Sequence, residues 1–215
     1  MDAHQHSPTG EHGGGKYHKV ENPPGLLWAR AGVVLLIAFV TYITVSFCMH
    51  VYYDREHAFK SALSCTEEVL TSHNIEHWLQ NGTLLGSTRL GRLVLWDADL
   101  DIGILASSSD NTAAALADLD AQCYGSSATT RYGAQNAALR IWKKCTNRVC
   151  ADFHETKIEN SNVYTGDGVS ASSQLLPLNS CTVADVTSFC PANSPYYLSQ
   201  AFGTDWLSTP LSSLF

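Results

Sequence analysis

Basic side chains are scarce in this chain. Its 215 residues carry 13 Lys and Arg against 20 Asp and Glu, for a net charge of −7 at neutral pH. No basic stripe is present, which argues against nucleic acid as a partner. No internal repeat is present either. The most informative absence lies between Ala31 and Tyr53, where there is no Asp, Glu, Lys or Arg. Such a run of about 23 residues, at about 1.5 Å per helical residue, spans the roughly 30 Å hydrocarbon core of a bilayer. Trp28 stands near one end and Tyr52 and Tyr53 near the other, as interfacial anchors do. The residues Phe47 to Tyr53 supply no small-x-small cleavage site, so an uncleaved anchor is favoured over a signal peptide. A buried core helix is the remaining alternative. Lys16, Lys19 and Arg30 precede the run and Arg55 and Lys60 follow it, a bias that puts the N-terminus in the cytoplasm.

The expected organisation is a disordered cytoplasmic tail over 1–27, a transmembrane signal-anchor helix over 28–53 and a lumenal domain over 54–215. The tail is rich in Gly, His and Pro and lacks apolar periodicity. Its His4, His6, His12 and His18 are read as solvated rather than as a metal trap. Cys48 falls in the anchor, and Cys65, Cys123, Cys145, Cys150, Cys181 and Cys190 all follow it. Six cysteines in a domain of this size suit an oxidising lumen and up to three disulfides. Their connectivity stays open; 145–150 and 181–190 are the nearest neighbours, and a zinc site of Cys145, Cys150 and His154 is an alternative.

What is present centres on Trp78 to Ile104. Asp97, Asp99 and Asp101 alternate with Ala98, Leu100 and Ile102. In a strand, residues i, i+2 and i+4 leave on one face, so the carboxylates gather while the apolar partners enter a core. Like charges this close are unfavourable unless one protonates or a cation sits between them, and carboxylates are hard ligands suited to Mg²⁺. A half-exposed strand with a solvated face is the bland alternative. An EF-hand is excluded, because the sixth and twelfth positions from Asp97 are Ile102 and Ser108 where Gly and Glu are required. Upstream, Gly82 to Ser87 and Arg89 form a glycine-bearing turn with donors for an anionic phosphate.

Gly82-Thr83-Leu84-Leu85-Gly86, Arg89 and Trp96-Asp97-x-Asp99-x-Asp101-Ile102 together resemble the signature of the LicD family. That family includes bacterial phosphocholine transferases and the fukutin and fukutin-related proteins, within the nucleotidyltransferase superfamily. Gly86-Ser87 and Asp99-Leu100-Asp101-Ile102 match the superfamily's h-G-[GS] and [DE]-h-[DE]-h patterns. A third carboxylate belongs on a neighbouring strand, and Asp152, between Ala151 and Phe153, is the candidate; a turn cap is its alternative role. His154 and Glu155 beside it are candidate bases. Lys143, Lys144 and Arg148 either steer an anionic donor or form a solvated turn. The resemblance covers about residues 57–210. It departs from the family at Ala98, where an acidic or polar residue is common, and lacks an extended cysteine-rich insertion.

The resemblance implies an α+β fold, a small mixed sheet flanked by helices, preceded here by one transmembrane helix. It implies a site in which Asp99, Asp101 and Asp152 are catalytic and, with Asp97, hold Mg²⁺ or Mn²⁺. Gly82, Thr83, Gly86, Ser87 and Arg89 would hold phosphate. The implied reaction moves a phospho-alcohol from a nucleotide-linked donor, such as a CDP-alcohol, to a glycan hydroxyl in the Golgi or endoplasmic reticulum. A type II membrane glycosyltransferase with a DxD metal site shares these features, but only about 45 residues separate the anchor from Asp99. Its nucleotide-binding half would need roughly a hundred residues there. A non-catalytic scaffold of the same fold is the other alternative.

Elsewhere, Asp54 to His73 reads as a helix with Ala58, Ala62, Leu63, Val69 and Leu70 inward and Glu67 and Glu68 exposed. Ile75–Leu79 and Leu139–Trp142 read as strands, Ala113–Ala121 as a helix capped by Ser109 or Asp110, and Gly166–Gly168 as a hairpin turn. The stretch from Leu175 to Trp206 also resembles the family's C-terminal segment, which implies a last helix led by Pro195 and ending at Phe202-Gly203. The sequon Asn81-Gly82-Thr83 lies inside the proposed phosphate turn and is expected to stay unmodified if that turn is packed.

Overall fold

A computed structural model describes residues 24–94, 97, 99–105, 109–125, 139–165 and 168–214, with backbone alone at 24–31 and 109–110. The expected tail up to residue 23, Trp96, Ala98 and the Gly166-Asp167 turn lie outside the described residues, as do the side chains of Ser109 and Asp110. The chain divides into two compact units, Met1–Phe47 and Cys48–Phe215.

Helix α1 runs Pro24–Ser72, 49 residues. It starts inside the stretch expected to be tail, because Pro is favoured in the first helical turn. No Gly or Pro occurs from residue 33 to 72, so nothing separates the expected anchor from the expected helix after it. Every side chain from Gly32 to Val51 is exposed. The helix over Gly32–Ser72 is long and apolar enough, by length and composition, to cross a membrane.

In the second unit the order continues β1 (His77–Leu79), α2 (Asn81–Leu90), β2 (Asp99–Leu105) and α3 (Ser109–Leu119), which ends in a π-helical turn, Asp120–Tyr124. Next come β3 (Ile141–Cys145), β4 (Cys150–Glu159), β5 (Asn162–Thr165), β6 (Gly168–Ala171) and the single turn α4 (Ser172–Leu175). The hairpin β7 (Asn179–Val183) and β8 (Val186–Cys190) and helix α5 (Ser194–Phe202) complete it. One sheet has the order β1-β2-β4-β5-β6, with β3 also on β4. The β2–β4 pair is parallel and the other pairs are antiparallel, so the sheet is mixed as expected.

Alternation divides the sheet into two faces. Leu79, Leu100, Ile102, Ile104, Ala151 and Phe153 point one way and are at most 1% exposed. They meet Phe59, Leu63, Val69 and Leu70 of α1, Leu84 and Leu85 of α2, and Ala115 and Leu119 of α3 in one core. The opposite face carries the acidic residues. The hairpin expected at Gly166–Gly168 is present as β5–β6, with Thr165 opposite Gly168. Two further hairpins turn on left-handed pairs, Asn160-Ser161 and Ala184-Asp185. Positive φ at both central residues is the type I′ geometry, and Ala-Asp carries little of the usual sequence signal for it.

Glu67 departs from expectation. Glu68 is exposed, but Glu67 accepts from Ser188 Oγ at 2.6 Å and lies 2.9 Å from His77 Nε2. β1 and β8 deliver these groups against the last turns of α1 and convert a surface position into a polar link. The six domain cysteines pair as Cys65–Cys123, Cys145–Cys150 and Cys181–Cys190. Cys145–Cys150 closes the β3–β4 hairpin and overturns the zinc alternative, since a disulfide has no thiolate for metal.

Cys65–Cys123 ties α1 to the end of α3 across 58 residues of sequence. Loop-closure entropy for a loop of that length predicts about 4 kcal/mol of stability. Replacing both cysteines by Ser should lower chemical-denaturation stability by about 2–4 kcal/mol, whereas opening Cys145–Cys150 should cost less.

Candidate functional site

The site is built on the register of β2 with β4. Asp101 stands directly opposite Asp152, and Asp99 lies two residues back along β2. All three therefore leave on one face, as the alternation requires. They are partly exposed, at 25% for Asp99, 14% for Asp101 and 21% for Asp152. Asp152 is thus brought to the other two carboxylates and is not a turn cap. Asp97 is buried outside the strand, and its carbonyl accepts from Arg55 Nη2.

β3 adds a cation. Lys143 pairs with Asp152 across the antiparallel ladder. Its Nζ lies 3.0 Å from Asp99 Oδ2 and 3.2 Å from Asp152 Oδ1. Of the two roles the sequence leaves open for Lys143 and Lys144, donor steering or a solvated turn, the turn is overturned: the strand extends to Cys145 and sends them to opposite faces. Lys144, 4% exposed, binds Asp120 at 2.5 Å. Arg148 is exposed, 3.9 Å from Asp54.

Asp101 has different partners. The Gly82 N–H donates to its Oδ2 at 3.2 Å, its own N–H donates to Thr83 Oγ1 at 2.8 Å, and His154 Nε2 lies 3.2 Å from Oδ1. The start of α2 therefore abuts Asp101, where the positive end of the helix favours an anion. Asn81 makes the turn from β1 into α2 with φ +43°, a conformation Asn tolerates better than most residues. Gly82 and Thr83 are buried, so the sequon is packed against the site.

Gly86, Ser87 and Arg89 do not join this group. A Cβ at Gly86 would come 2.6 Å from the Arg92 carbonyl, so this glycine serves close packing with the chain returning at 92–94. Ser87 Oγ donates to the Thr182 carbonyl at 3.0 Å. Arg89 Nη1 donates to the carbonyls of Trp206 and Thr209, each at 3.0 Å. These residues brace α2 from its far end, and the anion-facing turn is Asn81-Gly82-Thr83. Glu155 is also removed as a base. It points to the opposite face, 3% exposed, and receives the Arg140 backbone N–H and guanidinium at 2.8–3.1 Å.

Two residues of the carboxylate face escaped sequence reasoning. Gln80, 3% exposed, follows β1 and donates its backbone N–H to the Asp101 carbonyl at 3.0 Å. Trp78 stands opposite Gly103 and covers it so closely that a Cβ there would lie 2.3 Å from the indole. Period-2 alternation carried back through β1 is the signal that places both on this face.

Charge balance follows from these contacts. Burial raises the Asp152 pKa; Lys143 draws it down, Asp99 and Asp101 push it up again, and the net shift is upward. For Lys143 burial acts to lower the pKa, but hydrogen bonds and charge from Asp99 and Asp152 outweigh it and raise the ammonium. For Glu155 burial would raise the pKa, yet the Arg140 hydrogen bonds hold it below the ordinary carboxylate value.

Thr83→Val should remove the only non-backbone acceptor described for the Asp101 N–H and cost about 1–3 kcal/mol of unfolding free energy. Because the Glu155 pKa is depressed on folding, its contribution is present above the unfolded value of about 4.3 and lost as pH falls through the folded value. The destabilisation caused by Glu155→Gln should accordingly be larger at pH 7 than at pH 3, measured by thermal unfolding at both.

A family profile described as "LicD/FKTN/FKRP, nucleotidyltransferase domain" matches residues 74–193, which hold every strand of the sheet and all three carboxylates. Two uncharacterized proteins, RP689 of Rickettsia prowazekii and RT0683 of Rickettsia typhi, are each 50% identical to the chain over 40 residues. That stretch is 19% of this chain, and it spans only 15% and 13% of the respective relatives. The profile covers more than half of the chain and carries the site. This chain belongs to the LicD/FKTN/FKRP family.

Proposed function

We propose that the protein is a metal-dependent phosphotransferase that moves a phospho-alcohol group from a nucleotide donor, CDP-linked, to a hydroxyl of a glycan. The observation that carries this reading is the convergence of Asp99, Asp101 and Asp152 across β2 and β4 beside the start of α2. Metal dependence is general in the family. Among the described residues no three His, Cys, Asp or Glu side chains form a metal cage by themselves. Mg²⁺ sites commonly use one or two carboxylates together with substrate phosphates.

The residues fit such an ion, with Asp99, Asp101 and Asp152 offering hard oxygens on one partly exposed face. Bound there, Mg²⁺ or Mn²⁺ would supply charge neutralisation for the donor phosphates. Asp97 is carried as a further, more buried ligand candidate. The chain's own groups do the rest. The positive end of α2 favours the donor's phosphates, and Thr83 and Gly82 fix Asp101. The acceptor hydroxyl oxygen forms the new bond to the phosphorus of the phospho-alcohol. The phosphoanhydride P–O bond breaks and CMP departs. The hydroxyl proton passes to a carboxylate of the cluster.

The exposed apolar part of α1 and the three disulfides support a single-pass, type II protein of the endoplasmic reticulum or Golgi membrane, with residues 54–215 lumenal. The test is full-length protein in detergent with Mg²⁺ or Mn²⁺, offered CDP-alcohols, GDP-mannose and UDP-sugars in parallel. CMP release is expected, with loss of at least about 10²-fold in turnover for Asp101→Ala or Asp99→Ala. UDP or GDP release with sugar transfer would instead assign a glycosyltransferase. Donor binding without turnover, unchanged by those substitutions, would assign a scaffold.

A further inference from the structure

The carboxylate cluster is held in two halves. Asp101 is bound by a backbone amide and an imidazole, whereas Asp99 and Asp152 share the one ammonium of Lys143. Nζ lies 3.0 Å from Asp99 Oδ2 and 3.2 and 3.4 Å from the two oxygens of Asp152. A divalent ion held by Asp99 and Asp152 would need the same oxygens, and Mg²⁺–oxygen contacts, at about 2.0–2.1 Å, are shorter than those of the ammonium. The ammonium cannot keep its contacts while that ion is seated. Repulsion between two cations at such a separation adds to the exclusion.

We propose that Lys143 is a resident countercharge that competes with the metal for Asp99 and Asp152, and that metal binding releases its ammonium toward the anionic donor. This rests on the metal-dependent reading above. Lys143 offsets part of the charge of the acidic face when no ion is bound, which lessens the repulsion between Asp99 on β2 and Asp152 on β4. Once released, it is a point charge on a flexible stem, suited to a phosphate oxygen. A donor that captures the ammonium removes the metal's competitor, so donor and metal each tighten binding of the other by the same factor.

Mn²⁺ binding to the full-length protein, followed by the EPR signal of free Mn²⁺ without nucleotide, tests this. Lys143→Met should bind Mn²⁺ about tenfold more tightly than the parent, the scale of removing one unit charge from a partly exposed pair. Lys143→Arg, which keeps the charge, should not gain affinity. Equal or weaker binding by Lys143→Met would overturn the proposal while leaving the metal site standing. Absence of Mn²⁺ binding by both proteins would remove the metal-dependent reading and this proposal together. A measurement on the parent alone guards against misfolding of the variant. Acylation of Lys143 by an amine-reactive reagent, read by peptide mass spectrometry, should rise several-fold when Mn²⁺ is added. Labelling that stays unchanged or falls would contradict release of the ammonium.

Discussion

The parallel pairing of β2 with β4 is the constraint on which the rest of the domain depends. Its register sets Asp101 against Asp152, and the same pairing sets Leu100 against Ala151 and Ile102 against Phe153 on the other face. A slip of one residue would send the β4 carboxylate into the core and bring Ala151 and Phe153 to the surface. Those apolar side chains are fully buried, so the hydrophobic effect holds the register that the chemistry needs. Bringing like charges together is unfavourable, and the chain offsets it locally with Lys143, His154 and the amide of Gly82.

Helix α2 is the second fixed element, and it is fixed at both ends. Its first turn is tied to Asp101 through Gly82 and Thr83, with Asn81 turning the chain out of β1. Its last turns are held by Ser87 and Arg89, which reach carbonyls of β7 and of the segment after α5. Gly86 lets the strand-ward return at 92–94 pass against the helix. The C-terminal third thus acts on the site at a distance, by holding the helix whose start meets the carboxylates. The disulfides serve the same end: Cys65–Cys123 binds α1 to α3 behind the sheet, and Cys145–Cys150 closes the hairpin that carries Lys143 and Asp152.

Much of this is legible in the sequence because strand alternation is short-range and strongly patterned. Asp99, Asp101 and the apolar residues between them announce a two-faced strand, while the bounds of α5 at Pro195 and Phe202-Gly203 follow the family resemblance. What is not legible depends on partners distant in the chain. The Leu139–Trp142 strand is displaced to Ile141–Cys145, because pairing with β4 outweighs the local cost of two lysines in a strand. Glu67 looks like a surface residue until His77 and Ser188 arrive from other elements. The same holds for Arg89, whose fork suits phosphate in isolation but is engaged by carbonyls more than a hundred residues away. Gly86-Ser87 matches a phosphate-turn pattern by residue type alone, while the helix begins one turn earlier.

The central claim is that acidic groups from adjacent parallel strands meet on one cation beside the start of α2. Anomalous diffraction from crystals grown with Mn²⁺ and a cytidine nucleotide tests it most directly. The account predicts a manganese peak within coordination distance of Asp101 and of Asp99 or Asp152, with the nucleotide's phosphates facing the Asn81-Gly82-Thr83 turn. A peak elsewhere, or a nucleotide bound away from that face, would contradict it.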